Sequence, residues 1–588
     1  MFRLKRGLWT AVSAFALVSL VWGARAALQA ESMNGWRAAE LDWLVLESWA
    51  LQWSWKPALA AAALAFALAW VLTPSEPENP KPGFLGFLLR WLGHPAVALA
   101  LMFLTRYGPG ICAANLRPSP APSAPNLVLI VVDTWRADHA EFLGYARSTA
   151  PEISRLAAEG VVFERAMAPS GWTKPAVATL LTGMLPQHHR AVSQPGREGP
   201  RRGVNLRSGM HTLMEVLAAR GWETGMWSNN PNIIPQRGFD QGAAQFTAYK
   251  RQAERSTTRD RGRAEFMLPD VERWIRQRRH PGRPFAAYVH IMDPHLPYEA
   301  PAPFAGSFDK SGLDFQIGPT ELQAYQSGEL RAEDVTPAML QRILDAYDEE
   351  LAYVDAQLGP FLERLRAEDP ECVIVLAGDH GEEFLEHRQF GHAHSLYQEL
   401  VHVPLVLWAP EVQAARIPFQ VRLMDVMPTL LELGDVDWSL GAHLQGASLG
   451  PLLRGEERAH RPAPMETGGD GHPNFHWRAF SDGRYKLLRR ELDPQRPPGL
   501  DALPIWEASR ERPYLQLFDL ELDPGETRDL FETEPQRAQE LWERFQASGW
   551  YVVPMDYFGA ADLGQRVSPE ELDDLEKLGY GSGIDGDE

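Results

Sequence analysis

The chain has 588 residues, of which 45% are apolar, 23% charged and 10% aromatic, a composition that excludes a disordered or collagen-like polymer. A formal net charge of −20 argues against a nucleic-acid binder, because phosphate recognition needs a basic face. Cys112 and Cys372 are the only cysteines, so neither a disulfide framework nor a Cys-rich zinc site can be built.

In chain order, Met1–Arg6 is basic, and the runs Gly7–Ala24, Pro57–Ser75 and Trp91–Thr105 contain no Asp, Glu, Lys or Arg. A membrane span needs about 17–25 mostly apolar residues. The first two runs reach that length; the third is shorter, with Arg90 and Arg106 placed to snorkel at its ends. Residues 1–110 are therefore expected to form a membrane anchor of about three helices, with a cleaved signal peptide as the alternative for the first run. The basic N-terminus belongs in the cytoplasm, which puts the remainder outside and makes a bacterial inner membrane the expected location. Residues 111–125, ending in Pro/Ser/Ala-rich sequence, read as an extended linker between bilayer and globule.

From Asn126 the pattern alternates strand and helix. Asn126–Val132 (NLVLIVV) is a continuous apolar run suited to a parallel strand buried on both faces. Thr212–Arg220 reads as a helix, Glu223–Ser228 as a strand, Val271–Arg279 as a helix and Phe285–Ile291 as a strand. Pro337–Glu368 holds a long amphipathic helix or a pair, and Cys372–Leu376 and Val403–Trp408 are further strands. Such alternation implies an α/β sheet, with its active site beyond the carboxyl ends of the strands. The stretch from Ala248 to Arg279 reads mainly as solvated surface. After residue 460 the pattern becomes antiparallel: Trp477–Leu488 turns at Asp482–Gly483, and Tyr514–Leu520 is placed to pair with it. The Gly/Asp-rich Ser582–Glu588 reads as a tail.

The chemistry sits at the strand ends. Asp133 follows the first buried strand, and Asp379 and His380 follow the Cys372–Leu376 strand. Carboxylates with a neutral imidazole suit Mn²⁺, Zn²⁺ or Fe, whereas an all-oxygen set favours Ca²⁺ or Mg²⁺. Each residue alone reads equally well as a helix cap or turn. Thr173 sits by position as the N-cap of a helix whose first turn contains Pro175. A hydroxyl there faces free N–H groups and a positive dipole, which suits a tetrahedral oxyanion.

Asn126–Arg136 (NLVLIVVDTWR), Thr173–Gly183 (TKPAVATLLTG) and Gly378–Glu382 (GDHGE) together resemble the sulfatase family of the alkaline phosphatase superfamily. Pro294–Pro297, His394–Pro404, Asp482–Leu488 and Leu517–Asp529 agree in order and spacing, so the likeness covers roughly 125–580. It implies an alkaline-phosphatase-like mixed, mostly parallel sheet flanked by helices, with a catalytic domain at 126–460 and a small antiparallel subdomain at 461–588. It also implies one divalent ion held by Asp133, Thr173, Asp379 and His380, with Mn or Zn favoured and Ca the alternative. By the same resemblance Thr173 is the nucleophile, His295 contacts the transferred group or protonates the leaving oxygen, and His394 stands where sulfatases carry a substrate-binding Lys. Lys174, Asn229 and His392 are the further candidates for substrate binding.

The chain departs from the pattern at the nucleophile. Sulfatases carry Cys or Ser there, oxidised to formylglycine; Thr173 cannot give that aldehyde, and Val177 replaces the motif's Arg. No formylglycine is expected. Thr134 replaces the second Asp of the usual pair, and Asp379–His380 replaces Asp–Asn. With Thr at the nucleophile position the chain is similar to lipoteichoic acid synthases and phosphoethanolamine transferases, which are also membrane-anchored, and its Asp–His pair resembles that of Mn- or Zn-using phosphonate and phosphodiester enzymes. The reading is a hydrolase or transferase acting on phosphate or phosphonate esters, the substrate being a lipid or a glycan. The alternatives are a sulfuric ester hydrolase and a family member that has lost catalysis and serves as a binding domain.

Overall fold

A computed structural model describes residues 124–550, with 197–198, 204, 250–261, 310, 314, 316, 328, 411, 437–443, 468–474 and 493–514 outside it. The expected membrane anchor at 1–110, most of the linker and the tail lie outside the described residues. Among the described residues, no helix is long and apolar enough to cross a membrane.

The central sheet has eight strands: β1 (Leu127–Val132), β2 (Val161–Met167), β3 (Glu223–Ser228), β4 (Gln245–Ala248), β5 (Phe285–Ile291), β6 (Val373–Gly378), β7 (His402–Trp408) and β8 (Ala415–Arg422). Their order is β8-β2-β7-β6-β1-β5-β3-β4, and only β7 runs against its neighbours. This is the mixed, mostly parallel sheet expected. β1, β5 and β6 are buried at every position, because helices cover both faces and leave no polar side. β2 and β8 were not legible in the sequence. β2 carries Glu164 and Arg165 in mid-strand, and β8 is an edge strand interrupted by Pro418, which an edge tolerates.

The helices that matter for the site are α1 (Pro151–Ala157), α2 (Thr173–Thr182), α3 (Leu213–Ala219), α4 (Ala264–Gln277) and α5 (Pro337–Glu368). α3 begins at a full capping box: Thr212 accepts from the Glu215 N–H while Glu215 accepts from the Thr212 N–H. α4 starts before the expected Val271, because Pro269 masks the helical periodicity; Ala264, Met267, Leu268 and Val271 line its buried face, so part of the stretch read as solvated surface is core. α5 is one helix and not a pair. Thr336 caps it, Pro337 opens it, and Tyr347, Leu351, Val354, Leu358 and Leu362 run along its buried stripe.

After the central sheet comes a four-stranded antiparallel sheet: β9 (Ala463–Glu466), β10 (Phe475–Ser481), β11 (Tyr485–Leu492) and β12 (Leu515–Asp519). β9 adds a strand to the expected three. Helix α6 (Pro535–Ala547) lays Ala538, Leu541 and Phe545 on Phe480, Leu487 and Leu517. All the described residues fall in one compact unit.

A chain beginning near residue 122 is expected to be soluble and to melt cooperatively; an aggregated or molten product would show that the boundary is wrong. His189 makes a second test. It is buried, its Nδ1 accepts the Ala191 N–H at 3.0 Å, its Nε2 lies 3.1 Å from Thr179 Oγ1, and burial pushes its pKa down to about 3. The unfolded chain protonates this group first, so its contribution is complete above about 6.5 and is lost as pH falls toward 3. Chemical denaturation across that window should show the loss in the wild type and a flatter profile in His189→Gln.

Candidate active site

The parallel register builds the site. Val132 pairs with Ile291 of β5 and with Gly378 of β6, so the residues one step beyond, Asp133 and Asp379, emerge side by side at the carboxyl edge of the sheet. The Asp133 N–H continues the ladder to Ile291 O at 2.8 Å. Gly378 allows the approach, since a Cβ there would meet Trp135 O at 2.7 Å. Gly381 brings the next loop against residues 399–400: its N–H donates to Leu400 O, and a Cβ would collide with Glu399 O.

Asp133, Asp379 and His380 are fully buried, and one donor atom from each lies within 4.8 Å of the others. His380 Nδ1 donates to Gly381 O at 2.8 Å, so the neutral ring keeps its lone pair on Nε2, which faces inward. Nε2 is 3.3 Å from Asp133 Oδ1 and 3.2 Å from Thr173 Oγ1. Among the described residues, Asp133 Oδ1 and Asp379 Oδ2 accept no hydrogen bond. Two orphaned carboxylate oxygens and an imidazole lone pair converging in a dry core fit a divalent cation. Burial and the charge of Asp133 push Asp379 up to about 8. Burial also works to raise Asp133, but the hydrogen bond from His290 holds it well below the usual carboxylate range.

Thr134 has φ 53, the left-handed region that a β-branched residue rarely adopts, a cost on the order of 1–3 kcal/mol. This turn lets its N–H donate to Asp379 Oδ1 at 3.3 Å. Tyr347 of α5 props the same loop, donating to Thr134 O at 2.6 Å and accepting the Arg136 N–H at 3.1 Å.

Thr173 is buried and opens α2 as its first residue; Trp172 is the N-cap, one position earlier than expected. Its Oγ1 accepts from Asn230 Nδ2 at 3.4 Å. His392 stands beside His380, ring centroids 4.6 Å apart, and His295 packs on His392 at 4.9 Å. His392 donates Nδ1–H to Glu382 at 2.8 Å, and Tyr298 donates to the same carboxylate. Burial and the neighbouring His392 push His295 down to about 4.

Three further candidates make the following contacts. His394 is turned to Glu383, 2.7 Å from its carboxylate, so His392 and not His394 is the imidazole packed on the centre. Asn229 ties the ends of β3 and β5 together, accepting the Met292 N–H and donating to Gly262 O; its neighbour Asn230 reaches Asp133 and Thr173 instead. Lys174 is buried with its ammonium 5.3 Å from the Trp172 ring centroid. His290 was missed, although an imidazole inside an otherwise apolar strand is itself a signal.

A second cluster, Glu383, His387 and Glu399, also brings ligand-type atoms together. Both His387 nitrogens already face acceptors, Nδ1 at 2.7 Å from Glu399 and Nε2 at 3.2 Å from Glu526 O. Burial works to lower its pKa, but Glu399 overrides this and raises it to about 9, so the ring has no lone pair for a metal.

Asp379→Asn removes one charge from the set and should lower bound metal by about 10-fold or more in the purified protein, measured by elemental analysis. Normal occupancy would show that Asp379 is not a ligand.

The Sulfatase family profile matches residues 125–436, more than half of the chain. Mouse (Mus musculus) "Arylsulfatase K" is 25% identical over 74% of this chain and 83% of its own length. The "Delta 4,5-hexuronate-2-O-sulfatase" of Bacteroides thetaiotaomicron is 23% identical over 72% of this chain and 87% of its own. Among solved structures, the phosphonate monoester hydrolase of Agrobacterium radiobacter superposes with a TM-score of 0.53, at 20% identity, over 72% of this chain and 95% of that one. With the profile covering more than half of its length, the chain belongs to the sulfatase family.

Proposed function

We propose that this chain is a metal-dependent ester hydrolase that opens its substrate with the hydroxyl of Thr173. The observation that carries this reading is the position of Thr173 Oγ1, 3.2 Å from His380 Nε2 and within reach of the Asn230 amide, at the start of α2. Asp133, Asp379 and His380 would hold a divalent ion, which supplies a Lewis acid beside the hydroxyl and the anionic ester. The Asn230 amide orients Thr173 Oγ1, and the start of α2 favours the negative oxygens of the substrate. Attack forms a bond from Oγ1 to sulfur or phosphorus and breaks the bond to the ester oxygen, which ends with the proton that the Thr173 hydroxyl gives up. His392 is the imidazole beside His380, and His295 packs on His392. His295 is neutral at neutral pH when the site is empty, so an acid role depends on the charge of the bound anion. Water then cleaves the Thr173 ester, so that one water is divided between the acid and alcohol products.

The names of the relatives favour sulfate esters, sugar sulfates among them, over the phosphoester reading drawn from the sequence. Two residues favour phosphate or phosphonate esters: Thr173 stands where formylglycine is required for the sulfatase mechanism, and Val177 stands where that motif has Arg. The near-complete donor set disfavours a purely binding role. The apolar runs before residue 110 support an anchor in a membrane with the catalytic unit outside the cytoplasm, and with a lipid or glycan as the natural ester.

An aryl sulfate, an aryl phosphate diester and an aryl phosphonate monoester, each assayed with Mn²⁺, Zn²⁺ and Ca²⁺, separate the readings; no turnover of any would leave the binding role. Thr173→Ala should abolish turnover of whichever ester is cleaved while leaving the fold intact, and Thr173→Ser should retain part of it. Full activity in Thr173→Ala would make water the nucleophile.

A further inference from the structure

His290 lies in β5 opposite Val131, fully buried, and its Nε2 is 3.0 Å from Asp133 Oδ2. An ionised carboxylate only accepts, so Nε2 carries the hydrogen. Nδ1 then holds the lone pair, and the Tyr288 hydroxyl, 2.9 Å away, donates to it. Burial and the nearby Asp379 raise Tyr288 well above its ordinary range, which keeps that hydroxyl protonated. The chain of donors therefore runs from Tyr288 to His290 to Asp133. Asn230 Nδ2 donates to the same oxygen. Both donors fall on Oδ2, whereas Oδ1, toward His380 Nε2, accepts no hydrogen bond among the described residues.

We infer that His290, with its tautomer set by Tyr288, is a positioning residue that saturates Asp133 Oδ2 and so presents Oδ1 alone to a divalent cation. The inference rests on the reading of Asp133, Asp379 and His380 as a metal site. A carboxylate with both oxygens unengaged can rotate and bind through either or both. Two N–H donors on one oxygen fix the plane and leave a single coordinating atom. Outer donors of this kind are worth about 10–100-fold in metal affinity. They also compensate for Thr134: where the family carries a second carboxylate, this chain has one fewer anionic donor and relies on orienting those that remain.

The test is metal affinity, read without substrate. Full-length protein, stripped and titrated with Mn²⁺ and with Zn²⁺ against a competing chelator, is compared with three variants. His290→Phe should weaken both ions about 10–100-fold. His290→Gln, which keeps an N–H donor, should recover to within about 3-fold of wild type, a rescue that simple loss of packing would not produce. Tyr288→Phe, which removes only the hydroxyl, should weaken binding about 3–10-fold. Wild-type affinity in His290→Phe, or equal losses in His290→Phe and His290→Gln, would overturn the inference and leave the metal reading standing. If His290→Phe fails to fold, Tyr288→Phe decides, and unchanged affinity there overturns it. A wild-type chain that takes up neither ion takes down the metal reading and this inference together.

Discussion

Two carboxylates held side by side in a dry core are the constraint around which this site is organised. Strands β1 and β6 are parallel neighbours in a register that leaves Asp133 and Asp379 no distance to separate. Two full charges about 4 Å apart in a medium of dielectric about 20 repel by on the order of 4 kcal/mol. The protein divides that cost unequally. Asp133 stays ionised on the hydrogens of His290, Asn230 and their neighbours, and Asp379 is pushed up to about 8. A divalent cation would remove the conflict, which is why this geometry supports the proposal of a metal site.

Everything near the pair serves to keep it in place. Tyr347, projecting from a long helix, pins the turn after β1, and that turn holds Thr134 in a conformation it would not choose, so that its N–H meets Asp379. On the other side, Gly381 lets the loop after β6 press against residues 399–400. That loop is in turn fastened to the antiparallel sheet: His387 stacks on Tyr397 at 3.6 Å, Tyr397 donates to Gln516, and Glu526 accepts from the Gln398 N–H while pairing with Lys486. The second sheet therefore reaches the catalytic loop through polar contacts. The Glu383–His387–Glu399 cluster is such a fastening: its imidazole is already spent on two acceptors.

The departures from the family fall in two segments, the turn after β1 and the first turns of α2. Thr173, Thr134 and Val177 all stand where the resemblance leads one to expect a group with more chemistry, and the fold around them is intact. His392, backed by Glu382, packs its imidazole on His380. Membership of the family and identity of the chemistry are separable for this reason. The sheet positions whatever side chain occupies a strand end, and the side chain decides which ester bond it can open.

How much of this was legible in the sequence follows from the range of the interactions. Continuous apolar runs mark β1, β5 and β6 because burial on both faces leaves a local signature, and the residues after β1 and β6, Asp133 and Asp379–His380, are readable as strand-end chemistry for the same reason. Thr173 at the start of a helix is likewise local, to within one residue. β2 and β8 escaped because charges and a proline interrupt the pattern, and α4 began early because Pro269 hides its period. Which of two neighbouring side chains faces the centre was beyond local reading. Asn229 and Asn230 are adjacent, as nearly are His392 and His394, and only the paths of β3 and of the loop after β6 decide that Asn230 and His392 turn inward. His290 touches Asp133 through a register between strands more than 150 residues apart in sequence. Residues and their near neighbours were enough to read the family and the positions of Asp133, Asp379, His380 and Thr173 at strand and helix ends, since those signals are local. The tertiary structure decided which donor orients which ligand, because hydrogen bonds between strands are set by register, and register is a property of the whole sheet.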